Sequence, residues 1–139
     1  MTAVMRRFHA RLGDKDRYPL PPREIVTSVV PAMPDNAARN TAIVAHFAYG
    51  ALSGAALAPL RREPAVAFGV AGGAGIWLAS YFGWIPAFAV LKPAQKHPAP
   101  RNAGMIMAHI VWGACFSLAQ RELVKARWAF DGGPIKDRA

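Results

Sequence analysis

Carboxylates are scarce in this chain and absent where it is most apolar. Of 139 residues only 8 are Asp or Glu, against 17 Lys or Arg. The acids are Asp14, Asp16, Glu24, Asp35, Glu63, Glu122, Asp131 and Asp137, and none lies in any of three long uncharged windows. Paired-carboxylate chemistry and a Ser–His–acid triad are therefore excluded within those windows, although Ser53, Ser80 and Ser117 lie there. Cysteine is nearly absent as well. Cys115 stands alone, which rules out a disulfide within the chain and a four-cysteine zinc site. The opening stretch MTAVMRRFHARLGDKDRYPLPPRE has neither the apolar core nor the small-residue cleavage site of a secretory signal. There is no G-x-G-x-x-G and no Gly-Lys-Ser/Thr, so the glycines do not build a phosphate-cradling loop.

What the chain has in quantity is apolar sequence. Residues 41 to 60, 64 to 91 and 102 to 120 carry no charge over 20, 28 and 19 positions. At about 1.5 Å per helical residue each window matches the roughly 30 Å hydrocarbon core of a bilayer. Mean hydropathy is only +0.15 because basic flanks dilute it. The expectation is an integral membrane protein of the all-α class, with an anionic lipid surface as the partner of a net charge of +9. Nucleic acid is not expected, because no basic run is interleaved with aromatics in a recognisable module.

The pattern predicts three bilayer-length helices, an N-terminal interfacial amphipathic helix and a short proline-broken helix after the second span. In PLPPREIVTSVVPAMP, Pro22 and Glu24 suit a helix start, and Ile25, Val26, Val29 and Val30 share one face. That helix is expected to lie in the interface with Arg23, Glu24, Thr27 and Ser28 toward water. The first span is expected over about 41–60. The second follows Pro64 and breaks near Gly83, before the short piece WIPAFAVL. A proline-rich loop covers 92–102, and the third span begins near Ala103 and runs to about Trp128. Organisation follows as a basic segment with the interfacial helix (1–40), a helical bundle (41–121) and a helix extension with a charged tail (122–139). A single crossing by residues 64–91 places ten Lys or Arg on the N-terminal side and seven on the other. A hairpin there gives a stronger basic bias, but 28 residues are too few to cross twice.

Glycine is concentrated in the spans, where small residues let helix backbones approach. Gly50 and Gly54 form one G-x-x-x-G and Gly69 and Gly73 another. Ala67, Ala71, Gly75 and Ala79 add a small-residue stripe, and Gly113 and Ser117 lie on the third span. Gly50, Gly54, Gly69, Gly73, Gly75, Gly113 and Ser117 are the expected packing positions.

One heptapeptide occurs twice, as AHFAYGA (45–51) and AHIVWGA (108–114). Four of seven positions are identical, and Tyr49 matches Trp112 as an aromatic. Ile43 and Ile106 precede the histidines by three residues. With a single central crossing the two helices run parallel and His46 and His109 stand near one depth. Three roles suit such a pair. Each imidazole can bond a neighbouring helix and hold the packing; the pair can form a proton or small-solute path, since histidine titrates near neutral pH; or both can ligate a b-type haem. Two histidines are too few for a zinc or copper site, and Cys115 is turned about 120° from His109 on an ideal helix.

The order of PPRE, a helix with His-x-x-aromatic-Gly, a glycine-rich helix, a proline break and a closing helix with the same motif resembles the YagU-like group of small bacterial inner-membrane proteins. The resemblance covers about residues 19–121. It implies a polytopic inner-membrane protein and carries over no catalytic residue. In that group a membrane helix precedes the proline–arginine element, and MTAVMRRF is similar to the tail of one. The natural chain is accordingly expected to begin upstream of Met1 with a fourth span, which the upstream codons test. The expected function is non-enzymatic, that of a structural or interaction subunit or self-associating bundle without a cofactor. Proton or small-solute transport through His46 and His109 is the alternative, and haem b electron transfer the third.

Overall fold

The computed structural model describes Arg7, Ala10 and residues 20–61 and 65–132. The proposed helix tail at MTAVMRRF lies outside the described residues apart from Arg7, as does the tail beyond residue 132. Helix α1 is Pro21–Val29 and α2 is Asp35–Leu57, tightening into a 3₁₀ turn at Ala58–Leu60. Helix α3, Val66–Leu78, continues as a π-helical segment, Ala79–Trp84, into the short α4, Ile85–Ala87. A 3₁₀ turn at Ala94–Lys96 leads into α5, Ala99–Phe130. No strand occurs among the described residues, and three helices are long and apolar enough to cross a membrane.

Two helices begin earlier than their uncharged windows suggest. Helix α2 starts at Asp35 rather than Thr41, with Pro34 at its N-cap position and the Asp35 carboxylate in the first turn, where the helix dipole favours it. Helix α5 starts at Ala99 rather than Ala103, because Pro100 sits in the first turn, where a missing N–H costs no bond. The uncharged windows mark only the apolar part of each helix, and the helices extend past them. The break near Gly83 is present. Gly83 has non-helical dihedrals (φ −107°, ψ −108°), and Pro86 opens the short α4 beyond it.

Glycine sets the packing of α3 on α5, the most extensive helix contact in the fold. A Cβ built on Gly69 would overlap the Gly113 carbonyl and the Ser117 hydroxyl. One on Gly73 would overlap the His109 carbonyl, and one on Gly113 the Gly69 carbonyl. The contact ascends α3 as it descends α5, so these helices are antiparallel. Ser117 is fully buried, and its hydroxyl donates to the Ala65 carbonyl at 3.1 Å. Helix α2 packs by a different device. Gly50 faces Trp112 Nε1 and Gly54 faces the Phe116 ring, at 3.4 and 3.3 Å from a built Cβ. Trp112 and Phe116 stack at 5.6 Å and fill the groove. These contacts ascend both helices together, so α2 and α5 run parallel, as a single crossing by α3 requires.

Gly75 is a correction. Nothing lies within 4 Å of a Cβ built there, and it is exposed with Ala67, Ala71 and Ala79. The stripe is therefore on the outer face of α3. The face that meets α5 carries Gly69, Gly73 and Trp77, all buried.

Helix α1 also departs from expectation. Its polar edge is bound to the bundle rather than turned to water. Glu24 pairs with Arg101, whose side chain is 5% exposed, and the Ser28 hydroxyl donates to the Val90 carbonyl at 2.8 Å. Thr27 bonds back to the Arg23 and Glu24 carbonyls, and Arg23 reaches Asp35 at 2.8 Å. Val26 is buried against Ala38 and Ala42 of α2, whereas Val29 and Val30 remain exposed.

Candidate functional site

His46 and His109 line one cavity of about 260 Å³. His46 is eleven residues into α2 and His109 ten into α5, about 16 and 15 Å from the helix starts. Parallel helices thus bring the two imidazoles to a shared level, five and seven residues, about 8 and 10 Å, into the uncharged stretches that begin at Thr41 and Asn102. Both rings are partly buried.

Backbone contacts determine how His109 is presented. The Gly73 contact falls on the carbonyl of His109 itself, which fixes α5 against α3 at that level. The ring Nδ1 lies 2.8 Å from the Met105 carbonyl. A carbonyl only accepts, so Nδ1 carries the proton, and in the neutral ring Nε2 keeps a bare lone pair. His46 makes no hydrogen bond among the described residues; its ring meets the edge of Phe47 at 6.2 Å.

A short hydrogen-bond chain completes the polar lining. Ser80 Oγ donates to the Ile76 carbonyl at 2.7 Å, which uses its one proton. Tyr49 Oη lies 2.8 Å from Ser80 Oγ and must therefore donate to it. The tyrosine oxygen is left as an acceptor. Ser80 belongs to the π-helical segment, whose added residue per turn shifts the register of α3 beside Tyr49.

The remaining lining is apolar and aromatic. Tyr81 and Trp84 come from the π-helical segment, Ile85 from α4 and Met105 from α5, and Ala45 lies beside His46. Pro21, Pro22, Ile25 and Val26 of α1 close the outer side. Trp84 leans on Tyr49, with ring centroids 6.0 Å apart. Among the described residues no carboxylate lines the cavity; Glu24, one residue from Ile25, is engaged by Arg101.

The structure separates the expected positions into two groups. His46 and His109 come together at the cavity. Gly50, Gly54, Gly69, Gly73, Gly113 and Ser117 lie at helix contacts, and Gly75 at neither. Tyr49, Ser80 and α1 were not singled out as site elements from sequence. The signal for Tyr49 was there, since it is three residues after His46 and shares its helix face. Ser80 gave none, because its placement depends on the π-helical register. The heptapeptide repeat is also functionally unequal. Tyr49 faces the cavity, whereas its counterpart Trp112 fills the groove at Gly50. Among the described residues no group of three or more His, Cys, Asp or Glu gathers as a metal site, and Cys115 is exposed. No family model matches the chain, nor does any curated protein or solved structure.

Proposed function

We propose that this is a non-enzymatic integral membrane protein that carries protons or a small solute by way of the His46–His109 cavity. The observation that carries the reading is the presence of both intramembrane histidines on one cavity, with Nε2 of His109 free to accept a proton. Ionisable groups at this depth are costly to keep and are functional candidates by default. A purely packing histidine would use its polar atoms on a neighbouring helix, but His109 bonds only within its own helix and His46 has no partner among the described residues. The cavity reaches toward the end capped by α1, and the Trp112–Phe116 stack fills the groove beyond the histidines. Passage therefore requires those two rings to move. The basic flanks and the YagU-like resemblance support a bacterial inner membrane as the location.

The test is proton flux in liposomes loaded with a pH-sensitive dye, under an imposed gradient. Wild-type protein is expected to conduct above protein-free vesicles, and His46→Gln or His109→Gln to lose at least about tenfold of that flux. Wild-type flux equal to that of empty vesicles overturns the reading and returns the histidines to a packing role in a structural subunit.

Paired histidines on one cavity also suit a haem b held by His46 and His109. A volume of about 260 Å³ lies below the roughly 300–1,000 Å³ of drug-sized sites, so that reading needs the bundle to open around a macrocycle. A Soret band that shifts with dithionite and disappears in His46→Ala or His109→Ala would place haem first.

A further inference from the structure

We infer that the cavity is a binding site for a neutral, single-ring aromatic alcohol, the chemistry of a phenol or of a hydroquinone head group. The inference rests on the cavity being the functional site and names the class of molecule that enters it. Size gives the first constraint. About 260 Å³ is room for one substituted ring. Surroundings give the second. Tyr49, Tyr81 and Trp84 offer ring faces and edges, and Ile85 and Met105 complete an apolar shell, so a flat apolar body is favoured.

Hydrogen-bond polarity gives the third constraint. Two fixed groups in the lining are acceptors: Nε2 of neutral His109 and the oxygen of Tyr49. Each has its proton committed to the protein, to the Met105 carbonyl and to Ser80 respectively. A ligand must therefore bring donors. A ligand offering only acceptors, such as an ether or a ketone, would leave both groups unpaired inside an apolar site. Charge gives the last constraint. Among the described residues no carboxylate lines the cavity to balance an ammonium ion, so a neutral hydroxyl donor is preferred to a cation.

Isothermal titration of the full chain in detergent tests this with three probes: hydroquinone kept reduced by ascorbate, 1,4-dimethoxybenzene of similar shape without donors, and benzylammonium. Hydroquinone is expected to bind at least about tenfold more tightly than either. Tyr49→Phe is expected to weaken hydroquinone about tenfold. Ser80→Ala releases the Tyr49 proton into the cavity and is expected to narrow the preference over dimethoxybenzene, a reversal that general loosening of the fold does not produce. Equal affinity for hydroquinone and dimethoxybenzene, tighter benzylammonium binding, or no hydroquinone heat each overturns the inference. A lipid-borne source is distinguished from a free phenol by repeating the titration with a hydroquinone bearing a long alkyl tail. Tighter binding than hydroquinone supports delivery from the bilayer, and equal binding supports the free phenol; both retain the inference. The two readings fail separately. Hydroquinone binding without proton flux overturns the transport reading alone, and flux without hydroquinone binding overturns the ligand class alone.

Discussion

Glycine at 113 and glycine at 75 are the same residue under opposite constraints. At Gly113 a single methyl would occupy the space of the Gly69 carbonyl, a backbone atom that moves only if α3 moves. Overpacking of this kind costs about 1–3 kcal/mol, and here it also shifts the carbonyl level that holds His109. At Gly75 a methyl meets nothing, and helix propensity favours alanine by up to about 1 kcal/mol. Gly113→Ala is thus expected to lower the denaturation midpoint in detergent, and Gly75→Ala to hold or raise it. Equal losses in the two variants would mean that α3 and α5 are not seated on this face. Sequence spacing revealed that small residues would line a helix contact but not which of two stripes on α3 would do so. The Ala67–Ala79 stripe is mostly alanine and the Gly69–Gly73 pair has no Cβ at all, and the choice depends on how closely the α5 backbone approaches, a distance at which a Cβ does not fit.

At the scale of elements, α1 illustrates what a helical pattern can and cannot convey. Its length, its proline start and its amphipathic face were all legible in PPREIVTSV. Its tether to residue 101 was not, because an ion pair across 77 positions leaves no periodic trace. The pair is asymmetric in burial: Arg101 is nearly enclosed and Glu24 is 30% exposed. Removing the carboxylate takes one partner from a buried guanidinium, a change that costs about 3–5 kcal/mol when both groups are enclosed and less at this rim. The Arg23–Asp35 pair is exposed and contributes little by comparison. Glu24→Gln is accordingly expected to release α1, with faster proteolysis between α1 and α2, whereas Asp35→Asn leaves the cleavage rate near wild type. Unchanged cleavage in Glu24→Gln would show that Val26 packing against Ala38 and Ala42 holds α1 unaided.

For the whole molecule, the outline was present in the primary structure. Three uncharged windows, their basic flanks and the central proline break yield three spans with the correct breaks and the correct parallel histidine helices. The cavity was less legible. Its walls come from α1, α2, the π-helical segment, α4 and α5 together, and its hydrogen-bond polarity depends on which atom each hydroxyl and imidazole proton is given to. Such assignments arise only once the helices are packed. The repeated heptapeptide identified the two histidines, but the division between Tyr49 at the cavity and Trp112 in the groove came from the lateral placement of α2.

The shared depth of His46 and His109 also has an electrical meaning. A proton reaching them from the α1 end crosses about a third of the membrane field, and a full crossing is worth about 2.3 kcal/mol per 100 mV. Occupancy of the pair should then change by about 0.8 kcal/mol, close to fourfold, for each 100 mV across the bilayer. Potassium diffusion potentials imposed on the liposomes offer the measurement. The external proton concentration giving half-maximal flux is expected to shift by that factor, downward when the α1 side is positive. The bundle would in that case register membrane voltage without the arginine-lined helix of a dedicated sensor, simply because its two imidazoles sit within the field.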